Sequence, residues 1–471
     1  MKYSMRYSLV LVVAVATAVG CGSDSTGPQP DYTLPLTPAT LTISQGSSST
    51  INVGIGRTNF TGPITLSLNN GPPGITGSFD PPAPTENSST LTLNVVGAVD
   101  PGTYHLTVNG SATAGNRSTA LTVTLVPSAA PIVAGSGYSC FLNASGQAYC
   151  WGGNGGNLGD GTTTQRLVPT LVAGGLTFVS LSAGGVTCGV TASGVGYCWG
   201  ANSYGQVGDG TTTDRLVPTP VAGGLKFASI SSGNLHTCGV TTSGAAYCWG
   251  VNQSGGLGDG TTNNRIVPTP VAGGLSFAQI SVGFYYTCGV TTNGEAYCWG
   301  GNYAFNYTLV PIPIAMGITF ATVSAGWSHT CGLATNRAVY CWGDNSVGEL
   351  GDGTTTSRQN LIPVAGGRAF SAISTGNNGY SCGVTLGGPA YCWGYNLYGQ
   401  LGDGTTVRKL VPTSVTGGLT FASVAASTTP DGAHTCGLTS SGAVYCWGLN
   451  DHGQLGDGTT TQRLAPTLVA F

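Results

Sequence analysis

The tetrad Tyr-Cys-Trp-Gly occurs seven times in this chain, and a second cysteine stands ten residues before each of its cysteines. Cys140 goes with Cys150, Cys188 with Cys198, Cys238 with Cys248, Cys288 with Cys298, Cys331 with Cys341, Cys382 with Cys392 and Cys436 with Cys446. One supersecondary unit copied seven times restricts the fold before any residue is read singly, because each copy must bury its apolar face on its neighbours. Fourteen of the fifteen cysteines are used in this way, and Cys21 stands apart.

One copy runs from His236-Thr-Cys to Tyr-Cys-Trp-Gly250. Its two β-prone arms flank Thr242-Ser243-Gly244, a three-residue hairpin loop with glycine where positive φ is wanted. In that register Cys238 faces Cys248 and Val240 faces Ala246, close enough for a disulfide. Each bridge would stabilise by about 2–3 kcal/mol before any strain is subtracted. Free buried thiols and zinc are the rival readings; zinc usually takes cysteines two to four apart, and this spacing does not match. Disulfides point to an oxidising compartment.

The N-terminus agrees. Lys2 and Arg6 precede an apolar stretch from Leu9 to Gly20, too short to span a bilayer and suited to a secretory signal. It ends Ala18-Val19-Gly20-Cys21, which resembles a bacterial lipoprotein processing box. The resemblance implies a signal peptide over 1–20, a lipidated Cys21 and attachment to a membrane through lipid alone. Gly22 in place of aspartate fits, by the same resemblance, sorting to an outer membrane or cell surface. An ordinary signal peptide with an incidental cysteine is the alternative. Residues 21–31 are small, polar and Pro/Gly-rich, and read as a tether.

Charged residues are 7% of the chain, against about 25% in typical globular proteins. With 78 glycines and recurrent Tyr, Trp, Val and Leu, this describes a surface of Thr, Ser, Asn and Gly rather than disorder. Net charge is −3 with no basic run, so the electrostatic footprint of nucleic-acid binding is missing.

Residues 32–126 contain no cysteine. Alternating segments recur: Ala39–Ile43, Ser49–Val53, Ile64–Leu68, Thr90–Val95, Thr103–Val108 and Ala120–Leu125, separated by turn signals such as Asn70-Gly71. They predict a β-sandwich of about seven strands. The stretch Gly71-Pro-Pro-Gly-Ile-Thr-Gly-Ser-Phe-Asp-Pro81 resembles the immunoglobulin-like domains of bacterial secreted proteins, which implies a spacer. A linker at 127–130 follows.

The repeats occupy 131–471. Four β segments can be drawn per unit, as at Thr219–Val221, Phe227–Ser231, the Cys238 arm and the Cys248 arm, with a period of about 50 residues. That is the layout of a β-propeller blade. His236-Thr237, Trp249-Gly250 and Gly205-Gln-Val-Gly-Asp-Gly210 resemble the regulator of chromosome condensation repeat. That family forms seven-bladed propellers, so the expected fold is all-β: a seven-bladed β-propeller preceded by an immunoglobulin-like β-sandwich. The first unit starts at Ile132 without a leading Pro-Thr-x-Val strand, and the chain ends with one, Ala465–Phe471. The expectation is that this last strand completes the first blade.

Residues constant among the copies read first as packing. The tyrosines 149, 197, 247, 297, 340, 391 and 445 and the tryptophans 151, 199, 249, 299, 342, 393 and 447 suit a core buried between blades. Asn154, Asn202, Asn252, Asn302, Asn345, Asn396 and Asn450 suit bonds to turn backbone; a ring of ligand contacts is the sharper alternative. Asp160, Asp209, Asp259, Asp352, Asp403 and Asp457 each precede a cation by six residues, Arg166, Arg215, Arg265, Arg358, Lys409 and Arg463. These read as inter-loop ion pairs, with calcium as the alternative. Two before each first cysteine stand Tyr138, Val186, His236, Tyr286, His329, Tyr380 and His434. A catalytic or metal-binding histidine would not be exchangeable with Tyr and Val, so structural histidines are expected. No catalytic constellation, metal-ligand spacing or cofactor motif emerges.

Departures from the frame are more telling. Gly301–Thr308 replaces the Leu-Gly-Asp-Gly loop of unit four with a shorter one. The loops before the first cysteine carry Phe284-Tyr285 and Trp327 in units four and five, where units three and six carry Asn234-Leu235 and Asn377-Asn378. These seven residues form the expected binding site, Phe284, Tyr285 and Trp327 as its aromatic centre. Packing into the gap left by the short loop is the alternative for the aromatics. Tyr303, Phe305 and Tyr307 are near in sequence, with the opposite face open as their location. Unit seven adds an insertion at 426–433, and Arg337 takes a turn-glycine position in unit five. The expected role is a non-enzymatic, monomeric envelope protein recognising a protein or glycan. The family resemblance implies two further roles: inhibition of a secreted enzyme, since a β-lactamase-inhibiting protein shares this propeller, and, less well matched, guanine-nucleotide exchange on a small GTPase.

Overall fold

The seven hairpins fold in the register that their sequence requires. In the third, Cys238 stands opposite Cys248 and Val240 opposite Ala246, around a turn in which Gly244 takes φ 86°. The disulfide expectation holds at every hairpin. Cys140 is bonded to Cys150, Cys188 to Cys198, Cys238 to Cys248 and Cys288 to Cys298, with Cα separations of 4.0 to 4.1 Å. Cys331 is bonded to Cys341, Cys382 to Cys392 and Cys436 to Cys446, each at 4.1 Å. These bonds leave the fourteen sulfurs neither as free thiols nor as zinc ligands. In the fifth hairpin Arg337 holds φ 72° where the others use glycine, a left-handed conformation costing a side-chain residue about 1 kcal/mol. The computed structural model describes residues 29–44, 48–95, 99, 102–126, 132–143, 145–302, 305–314, 317–427 and 432–471. Residues 1–20, Cys21 and the linker at 127–130 lie outside them.

Each hairpin gains an inner and an outer strand and becomes a four-stranded antiparallel sheet of consecutive strands. Sheet three, for example, comprises Phe227–Ser232, His236–Thr241, Ala246–Gly250 and Arg265–Pro270. Seven such sheets follow in chain order. Their first strands touch one another in succession, and the first strand of sheet one touches sheet seven, so the row closes into a ring with these strands innermost. The outer strands carry Pro169, Pro218, Pro268, Pro311, Pro412 and Pro466, which remove N–H donors from a free sheet edge.

Period-two alternation explains the tetrad. Tyrosine and tryptophan, two apart, share one face of the third strand, and the cysteine between them takes the other. The disulfide face of each sheet packs on the tryptophan face of the next. Cys238 and Cys248 cluster with Trp299, and Cys436 and Cys446 of the last sheet cluster with Trp151 of the first. Cys188 and Cys198 meet Trp249 in the same way, Cys288 and Cys298 meet Trp342, and Cys331 and Cys341 meet Trp393. All seven tryptophans are fully buried. The seven tyrosines are half-buried, so they flank the core rather than fill it.

The closing strand corrects an expectation. Arg463–Leu468 pairs with Val444–Gly448 in its own seventh sheet, and sheet one is complete from Ile132 to Leu171. The Pro-Thr-x-Val segment is the outer strand of the preceding hairpin, not the leading strand of the next. Only the tail reaches sheet one, where Phe471 meets Phe141, Tyr149 and Trp151.

The N-terminal region is built separately. Two four-stranded sheets share one core, with Ile51, Val53, Leu91 and Leu93 contributed by one and Leu106, Val108, Leu121 and Val123 by the other. Six of its strands lie where alternation predicts and Ile75–Asp80 adds one inside the Gly71–Pro81 stretch, but the short strands Asp31–Thr33, Leu36–Thr37 and Gly56–Thr58 bring the number to ten where about seven are expected.

Candidate binding face

Antiparallel order sends the loop between strands one and two and the loop between strands three and four to the same end of every ring sheet. We term them axial and rim loops. The face they form carries the loop departures noted above, except Arg337, which lies in a turn between strands two and three at the other end.

Rim loops are clamped by their own side chains. In the second, Asn202 Nδ2 donates to the Thr211 and Thr213 carbonyls and to Asp209 Oδ1, while its Oδ1 accepts from the Val207 N–H. In the third, Arg265 reaches Asp259 Oδ2 through Nη2 at 2.7 Å and Nε at 2.8 Å. The ion pair therefore closes one loop on itself instead of joining two. Burial alone would raise the Asp259 carboxyl, but Thr261 and Arg265 hold it below its ordinary value. Asn154, Asn202, Asn252, Asn345, Asn396 and Asn450 and the six aspartates are spent on these loops; the Asn302 side chain lies outside what the structure describes.

At six of the seven seams the rim loop also grips the following sheet. The Gly256 carbonyl accepts Trp299 Nε1 at 2.9 Å and Thr287 Oγ1 at 2.8 Å. Leu257 enters the Trp299 cluster, and the Gly260 N–H donates to the Leu309 carbonyl at 2.9 Å. Gly258 lies against the indole, where a Cβ would stand 2.6 Å from Nε1, so only glycine fits. The same carbonyl is Asn157, Gln206, Glu349, Gln400 and Gln454 at five other seams, each gripped by the next tryptophan.

Axial-loop ends are tied around the ring. His236, His329 and His434 are buried, with Nε2 2.9, 2.9 and 2.8 Å from the hydroxyls of Thr287, Ser381 and Ser139 of the next sheet. Burial pushes all three down to about 4, so they are neutral scaffold groups at pH 7. Tyr286 and Tyr380 use the same position to donate to the His329 and His434 carbonyls.

The aromatic trio assembles across sheets four and five. The Phe284 ring lies 4.3 Å from that of Tyr285 and 5.3 Å from that of Trp327. Tyr285 and Trp327 are each 42% exposed. Asn234 and Leu235 are half-buried on the axial loop before them, and Asn378 on the loop after. Asn377 is buried, and its N–H donates to the Ser427 carbonyl of the next loop. Tyr307, 74% exposed, belongs to this face as well, because the Gly301 N–H donates to the Tyr285 carbonyl. The opposite-face reading is thereby corrected for Tyr307. Tyr303, the Phe305 side chain and residues 428–431 of the insertion lie outside what the structure describes.

Sequence reading misses Trp342. It looks like its six counterparts, yet it follows the one unit whose rim loop is replaced, and that signal is visible in the chain. Its Nε1 is buried without a hydrogen-bond partner among the described residues.

The regulator of chromosome condensation (RCC1) repeat models match residues 193–240, 243–290, 388–429 and 441–471, and a second model of the repeat matches 227–255, 277–305 and 320–349. Human E3 ubiquitin-protein ligase HERC2 is 41% identical over 92 residues, 19% of this chain and 2% of that protein. Ultraviolet-B receptor UVR8 of Arabidopsis thaliana is 34% identical over 126 residues, 26% of this chain and 28% of that protein. The chain thus spans less than a third of either relative. Among solved structures, yeast RCC1 (Prp20) superposes with a TM-score of 0.61 at 19% identity, over 69% of this chain and 83% of that one. Human WBSCR16 gives 0.62 at 18%, over 69% and 94%. Repeat matches and fold together support an RCC1-repeat assignment for the ring.

Proposed function

We propose that this RCC1-repeat β-propeller, read as seven-bladed and carried on an immunoglobulin-like domain, binds a protein partner through the face formed by its axial and rim loops. One observation carries the reading. Phe284 packs edge to face on Tyr285 and tilted against Trp327, at positions where the frame imposes no residue type, and the Tyr285 and Trp327 rings stay open to solvent. Aromatic side chains clustered on a polar surface are the usual anchors of recognition. The scaffold beneath is rigid, with a disulfide and a buried tryptophan in every sheet, so little ordering cost accompanies binding. Export with Cys21 lipidated belongs to the same proposal and is supported by the disulfides; Cys21→Ser should release the protein from the membrane fraction, and unchanged retention would refute it.

The test is capture from envelope extract with the full chain. Tyr285→Ala combined with Trp327→Ala should weaken capture at least about tenfold while the melting temperature stays close to that of the parent. A glycan retained in place of a protein would redirect the reading. Normal capture by a folded double variant would end it.

A further inference from the structure

Six seams of the ring show what belongs at the seventh. In each, the two donors of the following sheet, a tryptophan Nε1 and a Ser or Thr hydroxyl, close on one rim-loop carbonyl. At the first seam these are Trp199 and Thr187 on Asn157; at the closing seam, Trp151 and Ser139 on Gln454. The residue after the carbonyl is Leu or Val, buried beside the indole at Leu158, Val207, Leu257, Leu350, Leu401 and Leu455. Next comes a glycine whose Cβ would collide with the indole, and two residues further a glycine N–H that reaches the outer strand of the following sheet.

Between sheets four and five none of this is in place among the described residues. Trp342 keeps the setting of the other indoles: it lies opposite Thr330 in the ladder, and Phe320 packs on it at 6.4 Å and 56°, against 6.1 Å and 56° for Phe370 on Trp393. Yet its buried Nε1 has no acceptor there. Thr330 keeps only its contact with the Tyr286 hydroxyl at 2.9 Å, which Thr187 and Thr435 make with Tyr138 and Tyr380 in addition to their bond to the carbonyl. Among the described residues no rim-loop glycine donates to the Gln359 carbonyl, the counterpart of Leu309 and Leu410. A second buried polar atom without a partner, Thr308 Oγ1, stands on the outer strand of sheet four. Leu309 meets Gly255 of sheet three, so Thr308, one residue earlier, faces sheet five. A buried donor left unpaired keeps its full desolvation penalty, and this seam carries that penalty with no gain in the isolated chain.

We propose that the seam between sheets four and five is a slot for a glycine-containing turn of a partner protein, which supplies in trans the carbonyl, the aliphatic side chain and the glycines that a rim loop supplies in cis elsewhere. The inference deepens the proposed partner-binding role of this face and rests on it. Tyr285 and Trp327, the exposed rings of the trio, belong to the axial loops of the two sheets that form the slot. Trp342 is shielded from solvent in the free chain, so seating the turn displaces what covers it. The occupant is defined by the six internal examples as a backbone segment x-Leu-Gly-Asp-Gly, recognised through its main chain and one apolar side chain.

The test uses the full chain and a synthetic peptide with the sequence of its own third rim loop, Asn252 to Asn263. The tryptophan indole N–H signals are followed by nitrogen-15 NMR, with Trp342 assigned by loss of its signal in Trp342→Phe. The peptide should bind saturably below about 1 mM and shift the Trp342 signal. The same peptide carrying Gly258→Val should fail, because its side chain meets the indole. No binding, an unmoved Trp342 signal, or equal binding of the valine peptide would overturn the slot. Concentration-dependent self-association of the chain that the peptide reverses would assign the slot to a second copy and overturn the partner assignment. None of these results touches the aromatic trio, whose own test is partner capture by the double variant of Tyr285 and Trp327.

Discussion

Sheets three and four meet across a complete seam; sheets four and five meet across a stripped one. In the complete seam one carbonyl is gripped twice, Leu257 is buried, and an Asp259–Arg265 pair locks the loop that delivers them. In the stripped seam Leu361 packs on the Trp342 cluster, from which a rim-loop leucine is missing, while Ile314 and Ile318 hold the places that Val271 and Leu275 hold in the complete one. Leu361 stands where six outer strands carry proline. Apolar volume is thus replaced in part from within sheet five, whereas the hydrogen bond is not replaced at all. Burial is non-directional and many side chains can provide it, but an acceptor must stand at one point and angle. A repeat protein can lose a loop and keep its core while leaving a donor unmatched, and that unmatched donor marks where the surface is open to a partner.

The harshest way to break the comparison is to strip a second seam. Deleting Ala465–Phe471 removes most of the outer strand of sheet seven and leaves Val444–Gly448 as its edge. It also takes Val469 from the cluster around Trp151, and Phe471 from its contacts with sheet one. We expect a loss above about 4 kcal/mol or outright aggregation, read as the urea midpoint. A truncated protein that unfolds like the parent would show that a propeller tolerates two weak seams, and seam four/five would lose its special standing.

A milder change sharpens the contrast among complete seams. Glu349 stands where Gln206, Gln400 and Gln454 stand in other rim loops; its carbonyl grips Trp393 and Ser381. Its carboxyl is buried, and burial, with Asp344 adding to it, pushes its pKa up to about 7 from 4.5. The folded state therefore holds a proton that the unfolded state has released between these values, so stability falls as pH rises from about 4.5 through 7 and then levels. Glu349→Gln should raise stability by roughly 1–3 kcal/mol above pH 7 and by little below pH 4.5. A gain independent of pH would mean that the carboxyl is not the cause.

Much of this was legible in the chain. The cysteine register follows from a three-residue turn with glycine last, and the Asp–Arg spacing gives the ion pair but not its place: it reads as a bond between loops and lies within one, because that depends on three-dimensional reach. The assignment of Arg463–Leu468 was not legible, because a cyclic repeat has the same period wherever its boundary is drawn and only the hydrogen-bond ladder fixes the phase. The common face of the Phe284 and Tyr307 loops follows from counting antiparallel strands. The isolation of Trp342 could not be read from the residue itself, since it differs in nothing from Trp299; its missing partner would have come from the preceding repeat, 43 residues upstream in the intact case of Trp299 and Gly256.

The smallest expected effect is the most direct test of that difference. Trp249→Phe and Trp342→Phe remove the same indole surface from equivalent clusters, so the loss of packing should nearly cancel between them. At Trp249 the change also removes a hydrogen bond and leaves the Gln206 carbonyl to Thr237 alone. At Trp342 it removes a donor that had no partner, which relieves a cost instead of adding one. Trp342→Phe should therefore be the milder substitution by about 1–2 kcal/mol, measured as the difference in unfolding free energy under conditions that keep the disulfides intact. Equal losses would mean that the Trp342 N–H is satisfied in solution, by an ordered water or by the chain itself. The stripped seam would then be a repaired one, with no donor waiting for a partner.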